Sequence, residues 1–217
     1  MSSAINTERK SIWQVLEHPL IYKLSQAILG PGAEKSIVGE IKKLLTPAMT
    51  KGRNLDIGCG PSSLLWQVNL RPIGLEPVHA YNVRFVNNGS DAITGSATDL
   101  PFCDQSFDSI WNFGLLHHLS DEMVYRSLME MIRVVRPGGH VVIFDGLMPE
   151  HCWPNPFIWL LRKFDRGQHM RKQSALESLL IERNLWSVNR FQYCCWGHEG
   201  VFCIFSKPAH DALRNSK

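Results

Sequence analysis

The stretch "NLDIGCGPSSLL", residues 54–65, holds the key to the fold. An apolar run carrying one acid stops on two glycines one residue apart. A small-residue turn then leads into a new apolar run. A buried strand turning tightly into a helix accounts for this pattern. The absent Cβ atoms of Gly58 and Gly60 also let a ligand approach the backbone at the strand's C-terminal end.

Outward from this stretch the pattern alternates. A strand over 54–57 is followed by a helix over 62–68, and a strand over 73–76 by a helix over 78–86. The turn Asn87-Asn88-Gly89 leads into a short strand at 92–94, and 107–113 reads as a further strand. Ser120 is placed to cap a helix with Asp121 and Glu122 in its first turn. Val124, Leu128, Met131, Ile132 and Val135 supply its apolar face, with Arg133 and Arg136 in its last turn. Pro137-Gly138-Gly139 is expected to end that helix, and an apolar strand over 140–144 ends on Asp145. Strand–helix alternation with short loops predicts an α/β protein with a parallel sheet covered on both faces. Ser174 with Glu177 reads as a capping box for a helix reaching about residue 184. Segments 187–196 and 201–206 read as a hairpin closing the sheet.

The flanks are organised differently. Residues 11–29 show helical spacing interrupted at Pro19, and 37–45 are amphipathic. Residues 1–48 are therefore expected to form an N-terminal helical lid on a domain spanning 49–217, with a basic and aromatic cap inserted at 151–173.

With 217 residues, 44% hydrophobic and 20% charged, the chain has the composition of one soluble domain. Its net charge of +3 does not mark a nucleic-acid binder. The start MSSAINTERK lacks the apolar core of a secretion signal, and no apolar run is long enough to span a bilayer, so a cytoplasmic location is expected. Six cysteines without a CxxC pair give neither a disulfide framework nor a metal site.

Glu76 ends the second strand, where a carboxylate can accept hydrogen bonds from two ribose hydroxyls. A dinucleotide dehydrogenase would also show this, but its third glycine is replaced by Ser63. The preceding Pro61-Ser62 breaks the pyrophosphate-cradling pattern, which favours a nucleoside without a pyrophosphate.

LDIGCGPSS (55–63), GLEP (74–77), GSATDLPFCDQSFDSIWNFGLLHHL (95–119) and VVRPGGHVVIFD (134–145) follow one another in order. This ordered set resembles the class I S-adenosylmethionine-dependent methyltransferases. It is most similar to the small-molecule branch that includes quinone-pathway C-methyltransferases and type 11 methyltransferases. The resemblance implies a doubly wound, Rossmann-like, mostly parallel seven-stranded sheet with an antiparallel C-terminal hairpin. It implies S-adenosyl-L-methionine as cofactor and S-adenosyl-L-homocysteine as product. In that frame Asp56 orients the methionine amino group, and Gly58, Cys59 and Gly60 give backbone contacts to the methionine part. Glu76 holds the ribose diol and Pro77 lies against the adenine. Ser96, Ala97 and Thr98 meet the adenine edge, although relatives often carry an acid where this chain has Ser96. Phe113 and Gly114 border the sulfonium.

His117 and His118 follow the fourth strand and Asp145 ends the fifth, so a histidine–carboxylate pair is expected beside the transferred methyl. His117 and Asp145 are the candidate catalytic pair, since a carboxylate fixes the tautomer of an imidazole base. His118, Arg166, His169 and Arg171 are candidate substrate contacts, with Tyr22 and Gln26 on the lid. The aromatic and basic residues of 153–172 suit an anionic or lipid-linked acceptor and peripheral membrane contact. The leading expectation is methylation of a small molecule on O, N, C or S by a monomer or dimer, with no nucleic-acid partner and no metal. The alternatives are a non-catalytic cofactor-binding regulator and a nucleic-acid methyltransferase. The amino-group DNA methylation signature is absent, because its place reads Asn112-Phe113-Gly114-Leu115.

Overall fold

In the computed structural model, the described residues are 31–153, 155–163, 167–194 and 197–209. The expected lid helices over 11–29, with Tyr22 and Gln26, and the expected substrate residue Arg166 lie outside them.

The described chain runs α1 (Ala33–Leu44), α2 (Pro47–Lys51), β1 (Asn54–Ile57), a 3-10 turn (Leu64–Val68), β2 (Ile73–Glu76) and α3 (His79–Asn87). It continues with β3 (Ala92–Thr94), β4 (Phe107–Phe113), a 3-10 turn (Leu116–His118), α4 (Asp121–Val134) and β5 (Val135–Gly146). Last come α5 (Pro156–Lys163), α6 (Gln173–Ser178), a 3-10 turn (Arg183–Leu185), β6 (Trp186–Gln192) and β7 (Glu199–Ser206). The strands form one seven-stranded sheet in the order β3-β2-β1-β4-β5-β7-β6. β1 to β5 pair in parallel, and β7 pairs antiparallel with both β5 and β6. This is the expected doubly wound sheet with an antiparallel hairpin. The strand order reverses between β1 and β4, which sets the binding crevice at their C-terminal ends.

The core lies on both faces of the sheet. On one face α4 lays Val124, Leu128 and Met131, all fully buried, against Ile110, Val141 and Ile143. Ser120 caps this helix as expected, its hydroxyl accepting from the Met123 N–H. On the other face Ile37 and Ile41 of α1 cover Trp111 and Val142.

Four local expectations are corrected. The helix expected over 62–68 is a 3-10 turn, because the buried Ser63 hydroxyl caps Leu65 and Asn69 ends the turn in the left-handed region. Helix α4 stops at Val134, so Arg136 stands in β5 rather than in a last helical turn. Pro137-Gly138-Gly139 does not end a helix; it forms the start of β5, where register with β4 shifts. A Cβ on Gly139 would stand 2.7 Å from the Asp108 carbonyl oxygen, so the glycine admits a close strand approach. Finally, Ser174 caps nothing in α6; Lys172 is its N-cap, and Glu177 is bonded by Gln173 and Arg183 instead.

Candidate active site

The site grows from the C-terminal ends of β1, β2, β4 and β5. Gly58 and Gly60 both have left-handed backbone, at φ +71° and +59°. The Gly58 N–H donates to the Leu75 carbonyl at 2.7 Å and ties the loop to β2. Among the described residues a Cβ on Gly60 would meet no atom within 4 Å, which leaves room for a ligand beside the loop. The Cys59 side chain turns the other way, into the core against Gly74 and Phe85.

Two carboxylates border this loop. Glu76 is buried at the end of β2, and its two oxygens accept from the Gly60 and Val78 N–H groups, each at 3.2 Å. Asn82 supports this corner by donating to the Glu76 carbonyl and the Thr94 hydroxyl, both at 2.9 Å. Burial raises the Glu76 pKa, and those two backbone donors oppose the shift. Asp56 accepts from the Ser63 hydroxyl. Its pKa is pushed up to about 7 by burial, with the Ser63 bond acting against the shift and the Glu76 charge adding to it. Burial also raises the Cys59 thiol, with further contributions from the Asp56 and Glu76 charges.

A corner holding two buried carboxylates fits a ligand with a positive end and a diol. The backbone cradle at Gly60 gives it room. Asn112 adds an acceptor: its amide donates to the Ile57 carbonyl at 2.7 Å, while its buried Oδ1 has no partner among the described residues. The residues present therefore fit the nucleoside and amino-acid ends of S-adenosylmethionine. Pro77 is exposed beside Glu76, Ala97 is buried, and the Ser96 hydroxyl bonds Thr98 within a tight turn. Gly114, at φ +67°, follows the partly buried Phe113.

Beyond Gly114 the chain makes the turn that carries His117. Its Nδ1 lies 2.6 Å from Asp145 Oδ1, and its backbone N–H donates to Asp145 Oδ2 at 3.0 Å. Asp145 Oδ1 also accepts from the Gly146 N–H at 2.8 Å. Three donors thus fix a buried carboxylate, and the carboxylate fixes the ring. A Cβ on Gly114 would lie 3.5 Å from His117 Cε1, and one on Gly167 would lie 2.0 Å from Cδ2. The imidazole lies between two glycines, its Cε1 beside Gly114 and its Cδ2 beside Gly167. A narrow pocket beside it is lined by Leu116, His117, Asp145, Gly146 and His169.

The remaining expected residues divide. His118 is exposed, with its ring 4.2 Å from that of His117. The His169 N–H donates to the His117 carbonyl at 3.0 Å, and its side chain is exposed. Arg171 is spent on the fold: it donates to Asp121 and to the Leu116, Leu119 and His169 carbonyls. Sequence reading found the histidine and the acid from strand ends. It missed Ser63 as the partner of Asp56 and Gly167 as the neighbour of the His117 ring. A serine seven residues after an acid has no spacing signature, because the contact forms across a loop.

Residues 55–143 match the family described as Methyltransferase domain. The chain is 31% identical over 124 residues to "Probable tRNA methyltransferase 9B" of Homo sapiens, covering 56% of this chain and 24% of that protein. It is 31% identical over 114 residues to "O-methyltransferase resE" of Aspergillus sclerotiorum, covering 47% of this chain and 42% of that protein. The chain spans about a quarter of the length of the first curated relatives it matches. Among solved structures, a Thermotoga maritima S-adenosylmethionine-dependent methyltransferase superposes with a TM-score of 0.68 at 18% identity. That superposition covers 90% of this chain and 99% of the other. The [4+2]-cyclase SpnF superposes with a TM-score of 0.61 at 16% identity, covering 80% and 82%. The fold is thus shared with methyltransferases and with a cyclase, and only the site can separate such chemistries.

Proposed function

We propose that this chain, whose residues 55–143 match the family described as Methyltransferase domain, methylates a small molecule carrying an acidic proton. The cofactor implied by this family and fold is S-adenosylmethionine, which supplies a methyl group already activated on a sulfonium. Glu76 would hold the ribose diol, Asp56 the methionine ammonium, and the Gly58–Gly60 backbone the chain between them.

The observation that carries the reading is the His117–Asp145 pair, at 2.6 Å and largely buried. With Nδ1–H directed at the carboxylate, the basic lone pair of the ring lies on Nε2. Nε2 would take the proton of an acceptor aligned with the methyl group, while the carbon–sulfur bond breaks and its electron pair leaves with S-adenosylhomocysteine. Asp145 stabilises the imidazolium that results, and the two flanking glycines keep the ring in place. General-base assistance of this kind contributes roughly 10²–10⁴-fold, in addition to the gain from positioning alone. His169, which lines the pocket beside His117, and His118, whose ring lies against that of His117, are assigned to acceptor contact.

The relatives named as tRNA methyltransferases offer a second reading, methylation of RNA. The two are separated by incubating the protein with methyl-labelled cofactor and cell extract divided into lipid, small aqueous and macromolecular fractions. Label in the lipid or small aqueous fraction supports the small-molecule reading. Ribonuclease-sensitive label in the macromolecular fraction overturns it.

A further inference from the structure

Helix α5, of sequence PFIWLLRK, is amphipathic in reverse. It buries Ile158 and an arginine, Arg162, which are 2% and 7% exposed. It exposes Phe157 and Leu160 at 53% and 48%, one turn apart on the outer face. Trp153, in the preceding loop, is 77% exposed. A soluble helix normally does the opposite.

Arg162 explains the inner face. Its guanidinium hydrogen-bonds the Tyr193 hydroxyl, lies over the Tyr193 ring and packs on the Gly146 backbone, next to Asp145. The helix is therefore rooted beside the catalytic pair, and its orientation is fixed. At the outer face Lys163 is exposed, with its ammonium 4.9 Å from the centre of the Trp159 ring. Across 151–173 five Lys and Arg stand against one acid, Asp165. Arg162 and Arg171 are held by the fold, while Lys163 and Lys172 are exposed at the surface.

Trp153, Phe157 and Leu160 together offer on the order of 400 Å² of exposed apolar surface. That area is well below the ~800 Å² per partner of a stable protein interface. Exposed aromatics with Lys163 at their flank match the boundary between headgroups and acyl chains.

We propose that α5 and Trp153 seat this protein on an anionic membrane surface. On the methyl-transfer reading, from which this last step follows, the acceptor reaches His117 from the lipid layer and is a lipid or lipid-linked molecule.

The test sediments the full chain with phosphatidylcholine vesicles, with and without phosphatidylglycerol, beside the double variant Phe157→Ser/Leu160→Ser. Both positions are exposed, so the variant should fold, as circular dichroism and S-adenosylhomocysteine titration would check. The parent should partition onto the anionic vesicles and be weakened by salt. The double variant should lose about tenfold or more, and Lys163→Glu should lower binding on anionic vesicles only. Absence of the parent from the pellet, or equal sedimentation of parent and double variant, would overturn the proposal. So would a parent dimer that the double variant dissolves without vesicles, since a second copy would then cover this face. Vesicle binding and cofactor titration are read separately, so either reading can fail alone.

Discussion

Asp145→Asn is the most informative single change, because the two side chains have the same shape and the carboxylate accepts three hydrogen bonds. Oδ1 receives His117 Nδ1 and the Gly146 N–H, and Oδ2 receives the His117 N–H. An asparagine has one oxygen and one NH2 group. If its nitrogen occupies the Oδ1 position, it faces the Gly146 donor and forces the opposite tautomer on His117. If it occupies the Oδ2 position, it faces the His117 backbone donor. Either orientation sets donor against donor in a buried setting, which costs about 1–3 kcal/mol. For a domain of this size each kcal/mol lowers Tm by roughly 2–4 °C. Urea denaturation gives the stability loss, and nitrogen NMR of the imidazole gives the tautomer. A variant as stable as the parent, with the His117 Nδ1 proton unchanged, would refute the reasoning.

His117→Ala should lower turnover by roughly 10²–10⁴-fold with the labelled-methyl assay; cofactor affinity by calorimetry should stay unchanged, and its loss would make the residue structural. Asp56 has a folded pKa of about 7, above its ordinary value, so the fold holds a proton that the unfolded chain releases near pH 4. Its contribution to stability is therefore present at low pH and is lost as pH rises from about 4 to about 7. A ligand ammonium binds the ionised form, so S-adenosylhomocysteine affinity should fall up to about tenfold per pH unit below about pH 7. Asp56→Asn should flatten both profiles; a slope that survives it assigns the proton elsewhere. Gly167→Ala should cost about 1–3 kcal/mol by overpacking, because its Cβ would stand 2.0 Å from His117 Cδ2. Chemical denaturation checks this, and a neutral result would show that the 167–169 segment does not press on the ring.

The parts of this fold legible in the sequence are those written in local chemistry. The DIGCG turn, the acid ending β2 and the Ser120 cap each follow from residues within a few positions. The histidine and acid could be named because strand ends in a parallel sheet converge on one edge. What was not legible depends on contacts distant along the chain. Gly139 reads as a helix stop, but the Asp108 carbonyl, brought in by β4, is what requires a glycine there. Arg171 reads as a substrate arginine, but it is enclosed by carbonyls of the turn at 116–119. The inverted polarity of α5 is also invisible locally, since periodicity shows an amphipathic helix without saying which face turns inward. Tyr193, at the far end of the chain, draws Arg162 inside.

No described helix is long and apolar enough to cross a membrane, so the seat proposed for α5 is a surface contact. It leaves the site itself to be tested in solution.

The most direct test of the central claim is calorimetric titration of S-adenosylhomocysteine into the parent and Glu76→Gln. Glu76 anchors the Gly60 loop and is assigned the ribose diol. The account predicts one-to-one binding by the parent and an affinity about tenfold to a hundredfold weaker in the variant. No binding by the parent, or equal binding by both proteins, would contradict it.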